Sequence, residues 1–138
     1  MKKNHVIAGV LAGIALSLGM GATAEAAPAQ PDGVTATTLE LYSDFDYDTH
    51  WLHGGVVRYF TDSSDDLERA QIGDAVSSLK NTTPSAWVVY EHQDRKGAAY
   101  CVKAGQQIPD MRAKHNFNDK MSSVKRLSQA SCAGQTAW

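Results

Sequence analysis

Two short segments carry the residue types best suited to chemistry. Gly73-Asp74-Ala75-Val76-Ser77-Ser78 returns 45 positions later as Asn118-Asp119-Lys120-Met121-Ser122-Ser123. In each, an aspartate stands three residues before a serine pair. A carboxylate and a hydroxyl on one tight loop turn their oxygens toward a single hard cation, and oxygen donors with few full charges suit calcium better than a transition metal. Two such loops point to a paired calcium site. The same residues can also close a loop through side-chain to backbone hydrogen bonds with no ion at all, and that reading stands beside the first.

Few other residues compose a reaction centre. His50 and His53 have a spacing that suits zinc, but no cysteine or acidic partner lies at a matching distance, so the pair reads as surface structure. His92 and His115 stand apart from such a pattern. No Ser-His-Asp, paired Cys-His or glycine-rich phosphate motif occurs in a recognisable frame. Ser77 and Ser122 have no activating base in view. The chain is therefore expected not to be an enzyme. Tyr42, Phe45, Tyr47 and Trp51 form an aromatic and acidic stretch. It offers either a recognition surface or, as aromatics do in small domains, core for the first half of the chain.

The compartment follows from the amino terminus and the cysteines. Lys2 and Lys3 precede an apolar run from Val6 to Leu18, then small residues ending Ala24-Glu25-Ala26-Ala27-Pro28. This pattern predicts a signal peptide over 1–26. Its apolar run is too short for the roughly 20 residues that a permanent membrane anchor requires. The expected product is secreted and extracellular, with no membrane contact once the leader is removed. Cys101 and Cys132 are the two cysteines of the chain, and an oxidising compartment predicts a disulfide between them. Closing that loop is worth roughly 3 to 4 kcal/mol on a chain-entropy basis.

Cleavage after Ala26 removes Lys2, Lys3 and Glu25 and moves the formal charge from −2 to −3, which excludes bulk attraction to nucleic acid. Charge is unevenly spread. Residues 40 to 74 hold nine acids against Arg58 and Arg69, while residues 75 to 138 hold four acids against nine lysines and arginines. Opposite signs draw the two halves together, and the acidic half attracts cations.

The elements that must position these loops are strands. Residues 27–37 are rich in Ala, Pro and Gly without period and read as a flexible lead-in to one domain over 38–138. Thr38 to Tyr42 alternates polar and apolar residues, and Val56 to Phe60 is β-branched and aromatic. Ser77 to Lys80, Trp87 to Tyr90, Ala98 to Val102 and Ser123 to Leu127 continue the series. Roughly eight short strands with turn signals every ten or so residues predict an all-β sandwich. The best helical stretch, Ser64 to Ala70, has a capping serine and early acids, and Ile108 to Met111 reads as a second short turn.

Tyr90 through Gly97 to the Asn118–Ser123 loop resembles a βγ-crystallin Greek-key motif. That motif joins an aromatic and a glycine in a first hairpin to an (Asn/Asp)-(Asn/Asp)-x-x-(Ser/Thr)-Ser loop. Arg95 stands where a second aromatic is usual. In the first copy Tyr47 to Gly54 has the spacing of Tyr90 to Gly97, with Leu52 at the aromatic position, and Gly73 replaces the first Asn/Asp of the loop. The resemblance covers about 38–128 and implies a βγ-crystallin-like sandwich of two Greek keys, about 38–82 and 86–128, with a tail tied by Cys132.

For calcium, the resemblance implies hydroxyl ligands from Ser77 and Ser122 and backbone carbonyls from Ala75 and Lys120. It also implies a carbonyl near Glu91, with Asp74 and Asp119 crossing to complete the opposite sites. Size, leader and tandem motif look like the secreted Streptomyces metalloproteinase inhibitor type. This implies a monomeric inhibitor of an extracellular metalloprotease, with Cys101 and Val102 as the candidate inhibitory loop. A calcium-binding structural module without inhibitory activity and a killer-toxin-like antimicrobial protein are the alternatives.

Overall fold

The computed structural model describes residues 37–49 and 54–138. The signal peptide expected over 1–26, the lead-in up to residue 36, and His50 with Trp51, Leu52 and His53 lie outside the described residues.

Where the sequence alternates, the chain is extended. β1 (Leu39–Tyr42) turns Leu39 and Leu41 fully inward and leaves Glu40 on the other face. β2 (Val57–Phe60), β3 (Ser78–Asn81), β4 (Trp87–His92), β5 (Lys96–Val102), β6 (Gln107–Ile108) and β7 (Ser123–Arg126) follow. Antiparallel pairing joins them into a four-stranded sheet, β2-β1-β3-β6, and a three-stranded sheet, β5-β4-β7. The expected all-β class holds: this is a sandwich of two Greek-key motifs.

The two halves exchange segments. β6, from the second half, pairs with β3 of the first, Leu79 facing Ile108. Ser64, from the first half, bridges to Val124 of β7. That bridge explains why the helix expected over 64–70 shrinks to a three-ten turn at Glu68–Ala70: Ser64 is committed to a sheet, and Gln71 ends the turn at φ 57°. Ile108, expected in a turn, is likewise a strand residue.

Between the sheets lie Leu39, Leu41, Leu67, Trp87, Phe117 and Met121, all at most 2% exposed. Each such burial is worth about 1.5–3 kcal/mol. Trp87 needs a partner for its indole N–H and finds it in Thr83, whose hydroxyl accepts at 2.9 Å and itself bonds to Asn81.

The segment after β7 packs onto the second sheet. Ala86 N–H donates to Gln129 O at 2.7 Å, and Cys132 reaches Cys101 through the expected disulfide, with Cα atoms 5.7 Å apart. The chain then runs parallel to β5: Cys101 N–H donates to Thr136 O at 2.7 Å and Trp138 N–H to Cys101 O at 2.8 Å. The Trp138 ring closes the end of the core against Tyr100 and Phe117, with centroids 5.7 and 6.0 Å apart.

This arrangement corrects one expectation. Cys101 and Val102 are fully buried, paired with Val88 and Trp87 of β4, and flanked at Cys101 by the returning tail. A bait for a protease cleft has to be exposed, and this pair is core.

Candidate metal centre

Each Greek key folds its first hairpin over the sheet and pins it with the second serine of the repeated pair. Ser78 Oγ donates to Asp44 O at 2.6 Å and accepts from Tyr47 N–H at 3.1 Å. Ser123 Oγ does the same with His92 O at 2.6 Å and Arg95 N–H at 3.0 Å. The fold-over puts Asp46 and Tyr47 in the left-handed region at φ 53° and 61°, and Asp94 and Arg95 at 56° and 61°. Ser78 and Ser123 were not among the candidate residues, although the Ser-Ser pair contains them.

The matched contacts revise the alignment of the copies. Tyr42 corresponds to Tyr90, since Ser77 N–H donates to Tyr42 O and Ser122 N–H to Tyr90 O, at 2.8 and 3.0 Å. The counterpart of Arg95 is therefore Tyr47, which packs edge-on against Tyr42 with ring centroids 5.6 Å apart. Tyr42 pairs with Val57, fifteen residues on, whereas Tyr90 pairs with Ala99, nine residues on. The first hairpin is thus six residues longer, and Gly55 rather than Gly54 takes the place of Gly97. A Cβ at Gly55 would lie 2.8 Å from Asp48 O, and one at Gly97 would lie 2.8 Å from the His92 ring. Both hairpins close by backbone lying directly on the fold-over.

Burial raises the Tyr42 hydroxyl pKa well above its ordinary value, and the hydrogen bond it donates to Glu40 adds to the effect. Burial raises Tyr47 as well. Lys80 lies over both rings, its Nζ 4.3 Å from the centre of Tyr47.

The repeated loops meet as expected, each aspartate crossing to the other key. Asp74 and Asp119 sit at φ 49° and 53°, a left-handed turn that aspartate tolerates. Asp74 N–H donates to Met121 O and Asp119 N–H to Val76 O, at 3.0 and 3.1 Å, so the loops are hydrogen-bonded to one another. At one corner Ser122 Oγ lies 2.8 Å from Asp74 Oδ1 and 2.8 Å from Glu91 O. At the other, Ser77 Oγ donates to Asp119 Oδ1 at 3.3 Å. Ala75 lines the cleft beside Ser77 and Asp119. Lys120 is exposed next to Asp119.

The oxygens at both corners outnumber their protons. The Ser122 hydroxyl has one hydrogen and two acceptors at equal distance. At the Ser77 corner, Asn118 Nδ2 donates to Asp119 Oδ2 at 2.6 Å, while Asn118 Oδ1 is buried with no hydrogen-bond partner. Converging, under-protonated oxygens fit a hard cation such as calcium. Among the described residues no three His, Cys, Asp or Glu side chains converge, so any such ion needs hydroxyl and carbonyl oxygens besides the crossing aspartate.

Arg112 also lines the Ser77 cleft, a residue the motif did not single out. Asp110 grips it through two carboxylate oxygens at 2.9–3.2 Å, and its guanidinium stacks 3.7 Å from the Phe45 ring centre. Its hydrogen bonds hold the Asp110 carboxyl below the usual carboxylate range.

Solved βγ-crystallin domains share this fold. A βγ-crystallin from Ciona intestinalis matches with a TM-score of 0.56 and 23% identity, covering 65% of this chain and 99% of that one. A βγ-crystallin domain from Clostridium beijerinckii matches at 0.53 and 26% identity, covering 67% and 99%. A clostrillin double mutant in complex with nickel matches at 0.51 and 26%, covering 66% and 98%. No family model and no curated protein matches the chain. The scaffold is βγ-crystallin-like.

Proposed function

We propose that this protein is an exported, monomeric calcium-binding module in which the ion clamps the two Greek keys together. The observation that carries this reading is the Ser122 corner, where a hydroxyl with one proton faces Asp74 Oδ1 and Glu91 O at the same 2.8 Å. Asp74, Ser122 and the Glu91 carbonyl would hold one ion. Asp119, Ser77 and the Ala75 carbonyl would hold the other, with Lys120 placing its own carbonyl near the first. The ion would supply positive charge shared by oxygens from both halves, so that unfolding either half releases it.

Thermal melting tests the reading. An affinity in the range of extracellular modules, about 10⁻⁴ to 10⁻³ M, predicts roughly 1.4–2.7 kcal/mol of stabilisation at ~10 mM calcium. That amounts to a rise of several degrees in Tm for a domain of this size. An equal midpoint in calcium and in chelator would overturn it.

Inhibition of an extracellular metalloprotease is the second reading, supported by the leader, the disulfide and the resemblance of the tandem motif. With Cys101 and Val102 in the core, an inhibitory contact has to come from another, exposed segment. Titrating the purified protein against a thermolysin-like protease decides it: undiminished protease activity at micromolar protein removes the reading.

A further inference from the structure

The two corners are related by an approximate twofold, and one pair of related positions carries opposite charge. Leu67 N–H donates to Ser122 O at 2.9 Å, and Met111 N–H to Ser77 O at 3.0 Å. The next residues are Glu68 in the first key and Arg112 in the second. Loop positions match as well, Gly73 standing where Asn118 stands in the other copy. The loop motif calls for Asn or Asp there, and glycine brings no oxygen.

The space a side chain at 73 would fill is already taken. A Cβ built on Gly73 would lie 2.7 Å from Glu68 Oε1 and 2.9 Å from the Glu68 backbone nitrogen. The Glu68 backbone keeps any Cβ out at 73, and the Glu68 carboxylate occupies the space beside the loop that glycine leaves open. No described residue donates a hydrogen bond to the Glu68 carboxylate or forms an ion pair with it. In the second key the position of Glu68 belongs to Arg112, which is paired with Asp110 and stands in the cleft with Ser77, Asn118 and Asp119, where Asp44 and Asp74 also reach.

We infer that Glu68 supplies the negative charge and the oxygen that Gly73 lacks, making the Asp74–Ser122 corner the tighter of the two cation sites. Arg112 keeps the Asp119–Ser77 corner the weaker one. The inference rests on the cation reading proposed above. It extends that reading from a symmetric pair of sites to an unequal one, set by two residues outside the repeated loops. A carboxylate beside a doubly charged ion and a guanidinium beside its twin shift the two affinities in opposite directions.

Calcium titration calorimetry on the exported chain, with terbium luminescence as a second readout, tests it. The native protein should bind in two unequal phases. Glu68→Gln should weaken the tighter phase by about tenfold and leave the weaker one in place, the size expected for removing one nearby charge. Arg112→Gln should tighten the weaker phase by about threefold to tenfold on the same ground. Melting in chelator checks that each variant is folded. Native affinity in both phases for Glu68→Gln would overturn the inference and leave the cation reading standing. No calcium binding by the native chain would overturn both.

Discussion

The hydroxyl of Ser122 lies 2.8 Å from a carboxylate oxygen of Asp74, a residue 48 positions earlier and in the other Greek key. This contact joins the halves at the place where a cation would sit, so the site exists only when both halves are folded and docked. Local loop sequence supplies the groups, and the docking of the two keys brings them together.

Asp74→Ala removes the carboxylate that crosses to Ser122 from the other key. Calcium affinity there should fall by more than about tenfold, since a charged ligand is lost from a site otherwise built of neutral oxygens and Glu68. The Tm in chelator should change by only a few degrees, because Asp74 is exposed. A calcium-dependent rise in Tm undiminished in the variant would contradict the assignment.

Ser123→Ala acts on the fold itself. Ser123 is fully buried and serves two backbone groups, His92 O and Arg95 N–H. Leaving both unpaired should cost about 2–3 kcal/mol. The loss should appear in urea unfolding with an unchanged m-value.

Gly97→Ala places a Cβ 2.8 Å from the His92 ring at φ 79°, a backbone conformation that alanine adopts poorly. A destabilisation of about 1–3 kcal/mol is expected. Gly105→Ala, at φ 73° with open space around it, gives the cost of the backbone alone. A larger loss at Gly97 isolates the clash.

Tyr42 makes stability depend on alkaline pH. Its folded-state pKa is raised, first by burial and then by the hydrogen bond to Glu40. The contribution is complete below the unfolded tyrosine value of about 10, and it is lost as pH climbs from there toward the folded-state value. Denaturant unfolding at pH 8 to 11 should show falling stability, and Tyr42→Phe should flatten the upper part of that profile.

Reducing the Cys101–Cys132 bond, or replacing both cysteines by serine, should cost about 3 kcal/mol. Amide exchange should accelerate first at Trp138, whose N–H bonds to Cys101 O.

Much of this architecture was legible in the chain. The alternation of Leu39 to Tyr42, the β-branched runs and the twin Asp-x-x-Ser-Ser loops announce a two-key sandwich, and the crossing of Asp74 and Asp119 follows from the resemblance. The register of the first hairpin was not legible, because six extra residues lie between Tyr42 and Val57 and a fixed spacing then selects Tyr47 in error. The burial of Cys101 and Val102 was hidden too, since it depends on Thr136 to Trp138 returning along β5. The pairing of Glu68 with Gly73 is a relation between a turn and a loop, visible only when their atoms are placed.

The second sheet ends on both rims in its own chain, Ala137 beside β5 and Ser64 beside β7. Its rims are therefore capped at those points against an incoming strand from another molecule. A truncation before Thr136 would uncap the β5 rim and also remove the Trp138 ring from Tyr100 and Phe117, and the expected symptom is concentration-dependent association through freshly bared amides.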